Sequence, residues 1–345
     1  MKTLGDVCDK ASSNVSQNQL DDEIGSYPIY GASGLIKNIS FYHRGKPYLS
    51  IVKDGSGVGR VTKMDAFTSV IGTLQYILPN EEVDLDYLNY SLMSVDFKKY
   101  VAGAAIPHIY FKDYKSEPFL WMPLTEQQRI VSLLDQAFEG IAKARANAQQ
   151  NLQNARALFE SHLQSIFTQG GDGYEAKIFD EVLEIKNGKD QKPVEKAGGK
   201  YPIYGSAGNV MGWTDSYICD EQTTIIGRKG TIFRPIFIET KFWNVDTAFG
   251  LAAKPNLNAK FLYFFCLSYD FSLHNRGTTI PSLVKTDLLN IKISVPSLSV
   301  QELLVKKFTA LHNETKRLEA LYQRRIALLD ELKKSLLQQP FAGEL

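Results

Sequence analysis

Along two stretches of the chain an apolar side chain recurs at every third or fourth residue. The first stretch runs Ile130, Leu134, Ala137, Ile141, Ala144, Ala148, Leu152, Ala155, Phe159, with Ile166 further on; the second runs Leu304, Phe308, Leu311, Thr315, Leu318, Tyr322, Ile326, Leu329. This is the stripe of an amphipathic helix. Gly nearly vanishes from Thr125 to about Thr168 and from Ser299 to about Gln338, where Ala, Leu, Glu, Lys, Arg and Gln dominate, so the spacing predicts two long helices. Thr125 and Ser299, each following a Pro-containing turn, are the expected N-caps. TQGGDGY (168–174) ends the first helix. Ahead of each helix the pattern is different: Gly, Tyr, Phe and β-branched residues, short strand-like runs such as YLSIV (48–52) and TTIIG (223–227), and helix-like segments at 84–101 and 258–275.

The two halves repeat each other. YPIYGASG at 27–34 returns as YPIYGSAG at 201–208, an offset of 174 residues, and at the same offset Leu88, Ser94, Asp96 and Phe97 meet Leu262, Ser268, Asp270 and Phe271. Ile106-Pro107 matches Ile280-Pro281, and Gln127 matches Gln301. Such a long period means a duplicated domain and not a solenoid. The expected boundaries are 1–124 for the first globular domain, 125–169 for the first long helix, 170–298 for the second domain, and 299–345 for the second helix and a C-terminal tail.

The helical stripes also repeat in detail. Their alternation of fours and threes is broken by two successive fours, at 144–148–152 and at 318–322–326, again 174 residues apart. Such a stutter locally unwinds a coiled coil. Each lies near the middle of its helix, so antiparallel pairing sets the two face to face, with small residues of the first helix against larger ones of the second. The expected seam is Ile130, Leu134, Ile141, Ala148 and Leu152 against Leu304, Phe308, Leu318, Tyr322 and Ile326. The fold class is therefore α+β: two tandem mixed α/β domains alternating with two long helices that pair as an antiparallel coiled coil, a pseudo-two-fold repeat.

Composition narrows the function. The 345 residues are 44% hydrophobic and 22% charged, as in a folded chain of two or three domains, and no apolar run approaches the ~18 residues of a membrane span. The N-terminal MKTLGDVCDK is no signal peptide, and Cys8, Cys219 and Cys266 are scattered, which suits free thiols in a reducing cytoplasm. No histidine stands at ligand spacing from another, so neither metal nor cofactor is expected. With a net charge of +1, any contact with nucleic acid must come from local basic clusters, or a partner must supply much of the positive field.

In its motifs and their order the chain resembles the specificity subunits of Type I restriction–modification enzymes. The resemblance rests on the two YPIYG strings, on MPLTEQQRIVSLLD (122–135), on TTIPSLVKTDLLNIKISVPSLSVQELLV (278–305) and on the C-terminal LLQQPFAGEL (336–345), and it covers essentially the whole chain. It implies a cytoplasmic, non-catalytic subunit in which each globular domain is a target-recognition domain for one half of a split duplex-DNA site. It implies partners as well: two methyltransferase subunits docked on the coil, and restriction and translocase subunits in the full complex. Independently, helices of roughly 40 residues at about 1.5 Å each make rods of about 60 Å, long enough for half-sites one DNA turn, ~34–36 Å, apart.

The expected DNA contacts are loops that combine basic, hydroxyl and Gly residues. KDGSGVGR (53–60) offers Lys53, Ser56 and Arg60, and its counterpart GRKGT (227–231) offers Arg228 and Lys229. A second pair of loops surrounds the Ile-Pro match, with His108, Tyr110 and Lys112 in the first copy and Arg276, Thr278, Thr279, Ser282 and Lys285 in the second. These residues suit phosphate contacts or bidentate reading of guanine, and the two copies differ most here, as readers of different bases should. The GSGVG glycines lack the Lys-Ser/Thr of a P-loop; Asp172, Glu184 and Lys186 imitate a nuclease site, but the first copy lacks the Glu-x-Lys; no Asn- or Asp-Pro-Pro-aromatic string of an amino-methyltransferase occurs. The competing readings are the specificity component of a smaller system whose methyltransferase and nuclease are fused, a standalone nuclease, and a protein-binding adaptor.

Overall fold

The computed structural model describes residues 2–171 and 173–341, which form two compact units: residues 2–147 with 325–341, and residues 148–324. Asp172, of the nuclease-like trio, and the last four residues of LLQQPFAGEL lie outside the described residues.

The first unit runs β1 (Lys2–Thr3), α1 (Leu4–Val7), β2 (Cys8–Ser12), β3 (Tyr27–Gly31), β4 (Gly34–Ile39), β5 (Tyr48–Val52), β6 (Val61–Met64), β7 (Ser69–Val70), β8 (Leu74–Pro79), α2 (Leu85–Ser94), α3 (Phe111–Tyr114), β9 (Pro118–Phe119) and the start of α4 (Leu124–Gln169). The second runs β10 (Glu175–Ile178), α5 (Phe179–Val182), β11 (Leu183–Asn187), β12 (Tyr201–Tyr204), β13 (Val210–Thr214), β14 (Thr223–Gly227), β15 (Ile236–Ile238), β16 (Trp243–Asn244), β17 (Ala248–Ala253), α6 (Ala259–Ser268), α7 (Lys285–Leu289), β18 (Lys292–Val295) and the start of α8 (Leu298–Gln338). Each unit repeats three sheets. A four-stranded antiparallel one is ordered β2-β8-β5-β6 or β11-β17-β14-β15, a three-stranded one β4-β3-β7 or β13-β12-β16, and a pair β1-β9 or β10-β18 closes the base.

YLSIV forms β5 because it is buried on both faces. Leu49 and Ile51 point to one core, shared with α2 and the first turns of α4 (Tyr87, Leu88, Ile130, Leu134), and Tyr48 and Val52 to another, shared with the three-stranded sheet (Ile29, Val70). TTIIG does the same in the second unit, with Ile226 and Ile225 in separate cores. The YPIYG strings form β3 and β12, the central strands of the small sheets, paired in parallel with β7 and β16 and each bulged between its Ile and second Tyr. Their near-identity serves this framework.

The helix-like segments 84–101 and 258–275 are shorter than the sequence predicts. The α-helices stop at Ser94 and Ser268. The carboxylates of Asp96 and Asp270 then accept the backbone N–H of Lys98 and Ser272 and start separate 3-10 turns. The long helices start one residue earlier than expected, so Thr125 and Ser299 lie inside the first turn and are not N-caps; Pro123 O and Ser297 O accept the first helical N–H groups.

The two glutamines matched in the repeat anchor these helices. Both side chains have 0% exposure. Gln127 donates through Nε2 to Glu82 O (3.0 Å) and Met122 O (2.8 Å) and accepts from Asp84 N (2.9 Å). Gln301 repeats this with Asn256 O (3.2 Å), Pro296 O (2.8 Å) and Asn258 N (2.7 Å). Asp84 and Asn258 in turn cap α2 and α6, so one buried amide ties each long helix to its domain. Gln301→Leu should lower stability by about 2–3 kcal/mol, because it strands the buried Pro296 carbonyl and breaks two part-buried bonds, to Asn256 O and Asn258 N; a denaturant midpoint within error of the parent would contradict this anchoring.

The long helices lie antiparallel in each unit. In the first, Phe138 lies under Lys333 and Arg145 pairs with Asp330 (2.9 Å). In the second, Arg156 pairs with Glu319 (2.6 Å), and Phe159 and Phe167 pack at a tilt against His312 and Phe308. The exposed ion pairs mark the register and contribute little energy. Ile130, Leu134, Ile141, Ala148, Leu152, Leu304 and Phe308 are buried, whereas Leu318, Tyr322 and Ile326 are half-buried. Leu163, which the stripe omits, is fully buried.

Candidate nucleic-acid interface

Within each unit, the end of an inner strand of the larger sheet meets the Ile-Pro loop, and backbone hydrogen bonds fasten the two. Past β5, Lys53 N and Asp54 N both donate to Thr73 O (3.0 and 3.3 Å), Gly55 N donates to Pro107 O (2.8 Å), and Ile109 N donates to Lys53 O (2.9 Å). Past β14, Arg228 N and Lys229 N both donate to Thr247 O (2.8 and 3.2 Å), Gly230 N to Pro281 O (2.9 Å), and Leu283 N to Arg228 O (2.8 Å). The two loops predicted from sequence in each copy are thus fastened together. These fastening bonds run from backbone to backbone, so most side chains around them can change while the platform stays the same.

In the first unit Lys53 sits 3.3 Å from Asp54, which offsets part of its charge. Ser56 and Arg60 are exposed, and Arg60 lines a small cavity of about 200 Å³ with Tyr30, Ser50 and Thr62. His108 packs edge-on to Tyr110 (4.9 Å between centroids), and Lys112 stands over the same ring (5.2 Å). Tyr110 is half exposed, so these three side chains form an aromatic and cationic step beside the basic loop.

In the second unit Lys229, Thr278 and Thr279 are exposed, and Ser282 is bridged to Lys229 through the backbone. Arg228 leans over Phe249 (5.8 Å), with its guanidinium 3.4 Å from Asp246 O. Two of the expected contacts have other partners. Arg276 is held by Asp287 through two bonds (2.8 and 3.1 Å), which keeps the guanidinium pKa above and the carboxyl pKa below their ordinary values. Lys285 donates to Ile185 O (2.8 Å), bracing β11.

Sequence reading passed over Asn275, whose Oδ1 accepts from Gly277 N (2.9 Å) and Ser282 N (2.8 Å) and so shapes the whole loop. Its place before Arg-Gly, a turn-forming context, was the available signal. It also passed over Asp287, the partner of Arg276.

The thiols of Cys8 and Cys219 are pushed up to about 12 by burial. Glu184 is paired with Lys186 (2.8 Å). Among the described residues, no three His, Cys, Asp or Glu side chains gather as a metal site would require.

The family model for the Type I restriction modification DNA specificity domain matches residues 1–151 and again 172–327, one match on each copy of this platform. The chain belongs to that family. A candidate type I restriction enzyme specificity subunit of Haemophilus influenzae is 29% identical over 167 residues, which make up 46% of this chain and 41% of that protein. The chain thus spans less than half the length of the curated relative it matches. Among solved structures, a chain from work on complex assembly and conformational transition of the type I R-M system superposes with a TM-score of 0.81 at 15% identity, covering 99% of this chain and 97% of that one. The HsdS subunit from Thermoanaerobacter tengcongensis superposes at 0.62, also at 15% identity, covering 99% and 96%. These likenesses establish the fold: two tandem specificity domains of mixed sheet and helix, with α4 and α8 packed together. No helix of the described residues is long and apolar enough to cross a membrane.

Proposed function

We propose that this specificity-family protein reads a split, asymmetric duplex-DNA site, one half with each domain, and leaves methyl transfer, cleavage and translocation to partner subunits. What supports the reading is the duplicated platform, in which the same backbone bonds carry different side chains in the two copies. Lys53, Ser56, Arg60, His108, Tyr110 and Lys112 face one half-site. Arg228, Lys229, Thr278, Thr279 and Ser282 face the other, with Arg276 available once Asp287 gives way to a phosphate. Lys285 contributes by holding its loop to β11.

The methyltransferase subunits dock on the long helices, whose outer faces leave Leu133, Leu328 and Leu332 of the first unit and Leu158, Leu303 and Leu321 of the second between 46% and 66% exposed. Leucines in such numbers on a helix surface suit partner helices.

Mapping methylated adenines genome-wide with and without the gene tests the proposal: a two-part motif with a fixed gap should vanish with the gene. If no motif is lost, or purified protein alone cleaves or methylates DNA, the reading fails. Arg228→Ala should then either weaken all duplexes alike, as loss of a phosphate contact does, or relax one base position of one half-site by about 1–3 kcal/mol. Unchanged affinity and motif in that variant would leave Arg228 an ordinary surface residue.

A further inference from the structure

The Ile-Pro loops hold a feature that base reading does not require. Aligned residue by residue, AGAAIPHIYFK (102–112) and RGTTIPSLVKT (276–286) share only Gly103/Gly277, Ile106/Ile280 and Pro107/Pro281. Two of these three have a clear structural task. A Cβ on Gly103, whose φ is +88°, would stand 2.4 Å from Ile106 O, and one on Gly277 would stand 1.8 Å from Ile280 O, so only glycine lets the loop close this tightly. The proline carbonyls receive the Gly55 and Gly230 N–H groups, which bolt the loop to the basic segment.

The isoleucines have no such task. They are 65% and 62% exposed at the tips of these closed loops. Burial of an isoleucine stabilises by about 1.5–3 kcal/mol, and in the free protein neither side chain obtains it. Two copies that have exchanged nearly every neighbouring side chain still present the same apolar one to solvent. The loops beneath are backbone-fastened, so the tips are held in place and do not collapse onto the surface.

We propose that Ile106 and Ile280 are sequence-blind DNA contacts, one per domain, that press into the base stack at the edge of each half-site while the basic side chains around them grip the phosphates. This rests on the DNA-reading function above. The charge on the fastened loops favours DNA over an apolar protein partner: Lys53, Arg60 and Lys112 lie on the two loops of the first copy, Arg228, Lys229 and Arg276 on those of the second, with Lys53 and Arg276 each paired to a carboxylate that a phosphate would replace. Identity between the copies argues against base reading, because two different half-sites need different readers. Apolar wedges inserted between base steps are a known way for proteins to bend duplex DNA, at the cost of local unstacking.

The test uses the full-length protein and duplexes carrying the mapped target, with 2-aminopurine placed in turn at each position of and beside both half-sites. Wild-type protein should raise 2-aminopurine emission at one step per half-site. Ile106→Ala should remove the signal at one half-site and Ile280→Ala at the other. Each should weaken binding about tenfold, as loss of a buried aliphatic side chain would, with unchanged methylation motif and unchanged thermal midpoint. Ile→Met at either position should restore both signal and affinity, since it keeps an apolar side chain of similar reach.

The inference is overturned if no position brightens with wild-type protein, or if the alanine variants keep both affinity and signal. It is also overturned if affinity falls only where a thymine, and not a deoxyuridine, occupies the contacted position, since the side chain would then be reading a methyl group. Absence of any gene-dependent motif would defeat the DNA-reading proposal itself, an outcome visible before these variants are made.

Discussion

Phe308→Ala should cost the protein about 3–5 kcal/mol of stability, the range for removing a large aromatic side chain from a packed core. The ring is fully buried on α8. It packs against Phe167 of α4 at 5.7 Å, Phe264 of α6 at 5.2 Å and His162 at 6.3 Å, so it joins both long helices to the second domain's core. Leu321→Ala, on the same helix but 51% exposed, should change stability by no more than about 0.5 kcal/mol. Urea unfolding followed by circular dichroism measures both. Equal midpoints for the two variants would mean that the join between coil and domain carries no particular load. Leu134 is the matching position in the first copy and is also buried, so Leu134→Ala should behave like Phe308→Ala and not like Leu321→Ala.

The contrast between Phe308 and Leu321 shows what the chain makes legible. A helical stripe sustained over dozens of residues places α4 and α8 to within a residue at their N-terminal ends, because each turn adds independent support. Its depth of burial is less legible. Leu318, Tyr322 and Ile326 stay half-buried, whereas Leu304 and Phe308, on the same stripe, are buried. Thr125 and Ser299 suit an N-cap in sequence, yet each helix begins just ahead of them, where Pro123 O and Ser297 O accept the first helical N–H groups, and the buried glutamines secure the helix start. The four-stranded sheets follow from β-rich runs, but their order does not, since pairing is decided by partners far apart in sequence.

At the candidate interface, the glycines and the Ile-Pro match located both loops. That the loops are fastened to one another could not be read, because backbone N–H and C=O groups are the same at every residue. Nor could the engagement of Arg276 by Asp287 or of Lys285 by a strand carbonyl, since a basic residue looks alike in sequence whether it is free or paired. The loops were legible and the availability of their charges was not.

Removing one heptad from each long helix should shorten the preferred gap between the half-sites while leaving both half-site sequences intact. Suitable segments are 143–149 and 324–330, which take out both partners of the Arg145–Asp330 pair and spare the turns packed in the domain cores, where Leu134 and Phe308 lie. A seven-residue deletion keeps each apolar stripe in phase, and at about 1.5 Å per residue it removes about 10 Å of rod. DNA rises about 3.4 Å per base pair, so the gap should shrink by at most about three base pairs; tilting of the domains and bending of the duplex reduce this to about one or two. The measurement is methylation of a duplex series that carries the mapped half-sites with stepped spacers, using deletion protein shown to be folded and assembled with its methyltransferase partners. Recognition loops are untouched, so a changed half-site sequence would signal misfolding. The helices run unbroken for 46 and 41 residues, and a continuous helix resists compression far better than a loop, which is why they are the elements expected to set the distance. If the shortened protein keeps the original gap, the helices are not the ruler, and the spacing must be imposed by the subunits that dock on them.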